Sequence, residues 1–217
     1  MFKRVLGAAL TAVAALTALA TATAAVAAPA VTHHVLTINR VGGANVRVGA
    51  ILKANLHSGS TVVFASSSGK VVCKASLFAV KVTRNPAKPG TAVASLTAQT
   101  FSKCTTTFSG ATGVKSVKLN HLPYKTTISD STGFPVAVTG PTTTITLNTT
   151  VGPLSCTYHA KVAKGHASNT AQTITFSKQP FSKSSGPSAC PRKGTFSAAY
   201  GPVRDTSVML SPHVFVN

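Results

Sequence analysis

The chain contains no glutamate and only two aspartates, Asp130 and Asp205. Hydrolysis by paired carboxylates would have to use both acids at once. There is no tryptophan, and Phe and Tyr together make up 6% of the residues. Surfaces that stack unpaired bases interleave exposed aromatics with arginine, so specific nucleic-acid recognition is not expected. No His-Glu-x-x-His spacing occurs among the seven histidines, no Gly-x-Ser-x-Gly elbow marks a nucleophile, and no glycine-rich phosphate loop is present. The four cysteines form no Cys-x-x-Cys pair, and only Cys156 and His159 lie at metal-ligand spacing, so no metal or other cofactor is expected. Beyond the first thirty residues no stretch is apolar for the ~20 residues that a spanning helix needs.

The two acids do not suggest a catalytic pair. Asp130 sits in Ser129-Asp130-Ser131-Thr132-Gly133, a composition that favours a turn in which Asp bonds its own backbone. Asp205 follows Arg204, which predicts a local ion pair or a turn. His121, in His121-Leu122-Pro123-Tyr124, lies next to the turn that holds Asp130. A hydrolase reading therefore rests on His121, Asp130 and a nearby serine. His33 and His34 read as part of a loose N-terminal tail.

What the chain does have begins with a tripartite leader. Lys3 and Arg4 precede an Ala- and Leu-rich apolar stretch from Val5 to about Ala20, and small residues fill Thr21–Ala30. This is the pattern of a cleaved, helical signal peptide, with acceptable cleavage after Ala27 or Ala30. Residues 31–217 are then exported. They keep nineteen of the 21 basic residues against two acids, a net charge of +17. The cations are scattered among Thr, Ser and Val, as on the solvent faces of strands. Such a surface attracts polyanions, and the expected partner is an anionic cell-wall polymer or an acidic surface glycan.

Apolar and polar residues alternate at period two in Thr144-Ile145-Thr146-Leu147, Thr173-Ile174-Thr175-Phe176, Val46-Arg47-Val48 and Lys118-Leu119-Asn120. Thr and Val are β-branched and favour strands. Turn chemistry punctuates these runs at Val41-Gly42-Gly43, Ser68-Gly69-Lys70, Asn85-Pro86 through Pro89-Gly90, Ser131-Thr132-Gly133 and Gly152-Pro153. The spacing predicts about twelve strands in an all-β, antiparallel sandwich or barrel. Phe181 to Lys193, rich in Ser, Pro and Gly, reads as a loop that could serve an inhibitor or adhesin as its contact segment.

The body also contains a repeat. Thr61–Cys73 (TVVFASSSGKVVC) aligns without gaps on Thr144–Cys156 (TITLNTTVGPLSC). Gln99–Lys103 then matches Gln179–Lys183, and Thr107–Gly110 matches Thr195–Ala198, each pair flanking a cysteine. Pseudo-repeats over about 45–110 and 136–198 follow, within one β domain of residues 31–217 or in two tandem sandwiches. Four cysteines permit three pairings. If each copy is stapled within itself, the bridges are Cys73–Cys104 and Cys156–Cys190, stable in an oxidising setting outside the cell.

The Ala-rich leader, the Asn-Pro-x-x-Pro-Gly turn at Asn85–Gly90, Leu122-Pro123-Tyr124, the paired Phe-Ser-Lys…Cys blocks and the Tyr200–Thr206 ending together resemble a group of small exported actinobacterial proteins of unknown function. The resemblance implies an extracytoplasmic β-protein and supplies no catalytic residues. The sequence as a whole leads to the expectation of a secreted, non-enzymatic basic β-protein associated with anionic polymers.

Overall fold

Period-two alternation is realised as sixteen strands among the described residues, with no α-helix. The computed structural model describes residues 32–217, which form one unit. The leader expected over 1–30 and its cleavage sites lie outside the described residues. In chain order the strands are β1 (Leu36–Ile38), β2 (Ala44–Asn45), β3 (Ile51–Asn55), β4 (Val62–Ser66), β5 (Gly69–Arg84), β6 (Thr91–Thr106), β7 (Ala111–Asn120) and β8 (Tyr124–Ser129). They continue as β9 (Pro135–Thr139), β10 (Thr142–Thr149), β11 (Gly152–His159), β12 (Val162–Ser168), β13 (Thr173–Ser185), β14 (Lys193–Tyr200), β15 (Arg204–Asp205) and β16 (Val214–Val216).

The fold is an all-β barrel. Eight strands close a ring in the order β12-β9-β8-β6-β5-β4-β14-β13, and β12 pairs again with β13 to complete it. β11, β10 and β7 extend the sheet from β13, while β3 and β15 add to β5. Closure leaves the ring without unpaired edges. β5 and β6 are 16 residues each and β13 is 13. At ~3.3 Å per residue the two longest reach about 50 Å, enough to serve two successive neighbourhoods. The first half of β5 pairs with β4 and its second half with β3. Likewise Thr91–Leu96 of β6 pairs with β8, whereas Ser102–Thr106 pairs back on the start of β5. The result is two regions sharing the longest strands: a first lobe at the end of the ring bounded by β8, β9 and β12, and a second lobe at the end bounded by β7, β10 and β11.

Five phenylalanines mark the division between them. Phe64 packs on Phe101 and Phe196 at centroid distances of 5.6 and 5.2 Å, and Phe196 also meets Phe176 and Phe181 at 6.0 and 6.3 Å. These tilted and edge-on geometries suit the ring quadrupoles. A separate three-stranded sheet, β16-β1-β2, joins the two ends of the described chain.

The repeat has a structural counterpart in its first block. Val62 lies opposite Cys73 in the β4–β5 hairpin, and Ile145 opposite Cys156 in the β10–β11 hairpin. Both hairpins turn through two residues, between Ser66 and Gly69 and between Thr149 and Gly152. The structure joins Cys73 to Cys104 and Cys156 to Cys190, the pairs that the repeat assigns. Beyond the hairpins the copies diverge. Cys104 stands directly across from Cys73 on β6, with a Cα–Cα distance of 3.9 Å. In the second copy Gly186 runs past Cys156 instead: a Cβ on it would lie 3.2 Å from the Cys156 Cα and 2.9 Å from the Cys190 Sγ. The chain loops out and returns with Cys190. The third block is therefore not equivalent, for Phe108 falls in the β6–β7 turn and Phe196 within β14.

Several local expectations change. Val46-Arg47-Val48 is not a strand: Val46 is buried but Val48 is 65% exposed, and the pairing ends at Asn45. The segment 181–193 is a loop only over residues 186–192. Phe181–Ser185 completes β13, paired with β14 and β11, and Phe181 is buried. Its Ser-rich composition hid an inward Phe beside an outward Ser. His33 and His34 are not in a loose tail, because His34 bridges to Ala87 and the Lys88 N–H donates to the His33 carbonyl.

Candidate functional site

The hydrolase constellation does not assemble. His121 lies in the turn before β8 and Asp130 in the turn after it. β8 is six residues long, which puts the two ends about 20 Å apart. His121 is exposed, and its turn is held by Tyr124, whose hydroxyl donates to the Asn120 carbonyl and accepts from the Thr142 N–H. The Asp130 carboxylate does not fold onto its own turn as expected. It accepts the Gly90 N–H at 2.9 and 3.1 Å and so ties the β8–β9 turn to the Asn85–Gly90 turn. Asp205 makes no pair with Arg204. It is 1% exposed, and its Oδ1 accepts the Ser207 N–H at 2.9 Å, which is the turn alternative. Among the described residues no cationic side chain bonds either carboxylate. Among the described residues no group of three or more metal-ligating side chains gathers, and no helix is long and apolar enough to cross a membrane.

With both acids turned to backbone N–H groups, the cations of the outer face meet no acidic side chain among the described residues. Their placement follows from the registers. Arg204 on β15 lies opposite Lys53 on β3. On the β3–β5 pair Lys53 faces Ala79 and Ile51 faces Lys81, which makes Lys53 and Lys81 diagonal neighbours about 7 Å apart. Lys81 then lies opposite Ser95 on β6, and Ser95 opposite Lys125 on β8. Two strand spacings put Lys81 and Lys125 about 10 Å apart. Side chains alternate between faces, and Leu52, Val80, Val82, Leu96 and Tyr124 fill the inward positions next to this set. Arg204, Lys53, Lys81 and Lys125 are all exposed. They form an oblique cationic row across five adjacent strands. At its edge His213, partly desolvated and beside Arg204, is held below the ordinary imidazole value.

Other cations are spread more thinly. Lys74 and Lys103 flank the Cys73–Cys104 bridge, Lys115 and Lys118 lie on β7, and Lys161 and Lys164 lie at or next to β12.

The interior of the first lobe is the second notable place. A cavity of about 150 Å³ lies there, walled mainly by aliphatic and aromatic side chains, and a smaller one of about 30 Å³ lies in the second lobe. Phe64 and Phe181 line both. On the wall of the larger cavity the Tyr200 hydroxyl is bonded to Ser76 Oγ at 3.0 Å and accepts from Gln99 Nε2 at 2.7 Å. Burial pushes the Tyr200 phenol up to about 12, against the lowering effect of those two hydrogen bonds. It is therefore a neutral wall residue with its polar atom satisfied. Burial raises the Tyr158 phenol as well.

Sequence reasoning reached the scattered cations but not the row, since Lys53, Lys81, Lys125 and Arg204 come from four distant segments and meet only through strand pairing. No protein-family model, curated protein or solved structure matches the chain.

Proposed function

We propose that this is a secreted, non-enzymatic β-protein that associates with anionic cell-wall polymers or acidic surface glycans through the outer face of β15, β3, β5, β6 and β8. One observation carries the reading: four exposed cations lie in register across that face while both acids of the body are turned onto backbone N–H groups elsewhere. A repeating polyanion bridges such a row at successive charges, and each contact relieves the repulsion between neighbouring cations. Two disulfide bonds are typical of extracellular proteins and favour an exported setting. The leader-like first thirty residues and the resemblance to exported actinobacterial proteins fit the same reading. Co-sedimentation of the mature protein with purified cell wall, repeated at rising salt, tests it. Binding at ~50 mM salt that is lost by ~1 M, where the screening length falls to about 3 Å, is expected. No retention at low salt would refute it.

A further inference from the structure

We propose that the tip of the β15–β16 hairpin, Val208-Met209-Leu210, is a lipid-contact element that seats in the interface of a bilayer carrying anionic headgroups. The tip is built to stay out of the fold. The chain reverses between Arg204 and His213, which bridge each other, and the Asp205 N–H donates to the Pro212 carbonyl at 2.9 Å. The Ser211 N–H donates to the Val208 carbonyl at 3.0 Å, so Met209 and Leu210 are the two central residues of the turn. Met209 is 87% exposed and Leu210 92%, with Val208 exposed beside them. Met209 is also the only methionine of residues 31–217. Leu210 has φ +67°, a conformation in which turns ordinarily place glycine or asparagine. A bulky side chain there strains the backbone, and one this exposed gains no packing in return. Glycine would serve the free fold better, so the leucine side chain has its use outside the fold.

The base of the hairpin is held firmly, and its surroundings are cationic. The Thr206 N–H and hydroxyl both donate to the Ile51 carbonyl at 2.9 Å, and the Ser207 hydroxyl accepts the Ile51 N–H at 2.7 Å. The Arg204 guanidinium donates to the Ser211 carbonyl at 3.1 Å. Since Thr206 and Ser207 bond the first residue of β3, the tip runs past that end of the strand. The turn from Arg47 to Ala50, closed by the Ala50 N–H on the Arg47 carbonyl, leads into the same end and carries exposed Arg47 and Val48. Lys53 lies opposite Arg204 at the hairpin base, and both are exposed. Asp205 is buried against the Ser207 N–H and presents no exposed carboxylate there. Exposed apolar side chains beside cations match the layers of an anionic lipid surface. Met209 and Leu210 enter the apolar boundary while Arg47, Lys53 and Arg204 meet the headgroups. A soluble polyanion satisfies the cations but leaves Met209 and Leu210 in water, so this contact goes beyond the polymer association proposed above.

The test uses the mature disulfide-bonded protein and vesicles of phosphatidylglycerol and phosphatidylcholine in equal parts, read by flotation at ~0.1 M salt. Binding is expected to be about tenfold tighter, or more, than to phosphatidylcholine alone. Met209→Ser/Leu210→Ser keeps every charge. It is expected to weaken vesicle binding about tenfold or more and to leave binding to purified cell wall within about twofold of the parent. Leu210→Gly is expected to weaken vesicle binding about fivefold without lowering the melting temperature, because glycine relieves the strained φ. A parent that does not float with the anionic vesicles overturns the proposal, and wall binding by that same protein would leave the polymer reading standing. Equal flotation of parent and double variant overturns it too, since charge alone would then drive the contact. An equal loss on cell wall would place the tip in the polymer contact instead. Self-association in sedimentation that disappears in the double variant would assign the tip to a second copy of the chain, and likewise overturns it.

Discussion

Asn169 grips the backbone of Val216 on both sides: its Nδ2 donates to the Val216 carbonyl at 2.6 Å, and its Oδ1 accepts the Val216 N–H at 3.0 Å. This two-point contact fastens β16, and with it the β16-β1-β2 sheet, to the turn between β12 and β13. Leu36, Val214 and Val216 of that sheet line the first-lobe cavity, so the sheet acts as its plug. Asn85 secures the sheet from the other side. It is buried, accepts the Leu36 N–H, and donates to the Leu36 and Val46 carbonyls, each at 2.9 Å.

Asn169→Ala is expected to loosen the plug before the barrel. Two hydrogen bonds are lost, at a cost of about 1–3 kcal/mol, and the cost falls on a peripheral element. Hydrogen exchange should quicken at Val214, Val216 and Leu36 while the amides of β5 and β6 stay protected. Equal acceleration throughout would show that the sheet is part of the global unfolding unit. Asn85→Ala removes three bonds at a buried site and is expected to cost more, about 2–4 kcal/mol.

The two bridges should differ in what they protect. Cys73–Cys104 and Cys156–Cys190 span 31 and 34 residues, so on the chain-entropy model removal of either costs roughly 3–4 kcal/mol. Cys73→Ala/Cys104→Ala cuts a staple between two long paired strands. Cys156→Ala/Cys190→Ala instead releases the 186–192 loop, whose remaining ties include Lys183 Nζ and the residue-190 N–H, both donating to the Pro187 carbonyl. Trypsin should therefore cut after the exposed Arg192 or Lys193 faster in the second double variant than in the first. Equal rates would contradict the assignment of the second bridge to loop anchoring.

Tyr200 gives an alkaline signature. Its folded-state value, pushed up to about 12 by burial, exceeds the unfolded value near 10. The folded form therefore keeps its proton where the unfolded form loses it. This contribution is fully present below pH 10 and is lost as pH rises towards 12, amounting to roughly 2–3 kcal/mol at the end of the window. Tyr200→Phe should flatten the fall in stability between pH 10 and 12 relative to the parent in denaturant titrations. At neutral pH it should cost about 1–2 kcal/mol, since Ser76 and Gln99 each lose a partner. Parallel profiles of parent and variant would refute the assignment.

Gly165 on β12 has no room for a side chain. A Cβ there would lie 2.6 Å from the Thr175 carbonyl and 2.9 Å from the Phe176 ring. Gly165→Ala is expected to destabilise by about 1–3 kcal/mol, because the β13 backbone at the Thr175 carbonyl would have to shift and the Phe176 ring would have to move with it. An unchanged melting temperature would show that strand and ring both give way freely.

Much of the fold is legible in particular residues. Thr144-Ile145-Thr146-Leu147 alternates cleanly because one face of β10 is buried and the other is wet. The repeat made the two bridges readable, since Val62 opposite Cys73 recurs as Ile145 opposite Cys156. Asn85 stands out as part of a turn motif, but its three bonds, to Leu36 of the terminal sheet and to Val46 just beyond β2, depend on residues 49 and 39 positions away. The cationic row and the cavity were not legible for the same reason. Both arise from long-range registers and from closure of the ring, which no local pattern records. Phe181–Ser185 reads as loop because serines on an exposed face look the same in a strand as in a loop.

The most direct measurement compares two charge variants of equal net charge. One carries Lys53→Gln, Lys81→Gln, Lys125→Gln and Arg204→Gln. The other carries Lys70→Gln, Lys103→Gln, Lys115→Gln and Lys118→Gln, four exposed cations away from the row. Each is titrated against purified cell wall and against an acidic glycan at ~50 mM salt. The proposed site predicts that the first variant loses at least tenfold in affinity and that the second stays within about threefold of the parent. Equal losses in the two would mean that net charge alone drives the association and that the face formed by Arg204, Lys53, Lys81 and Lys125 is not the site.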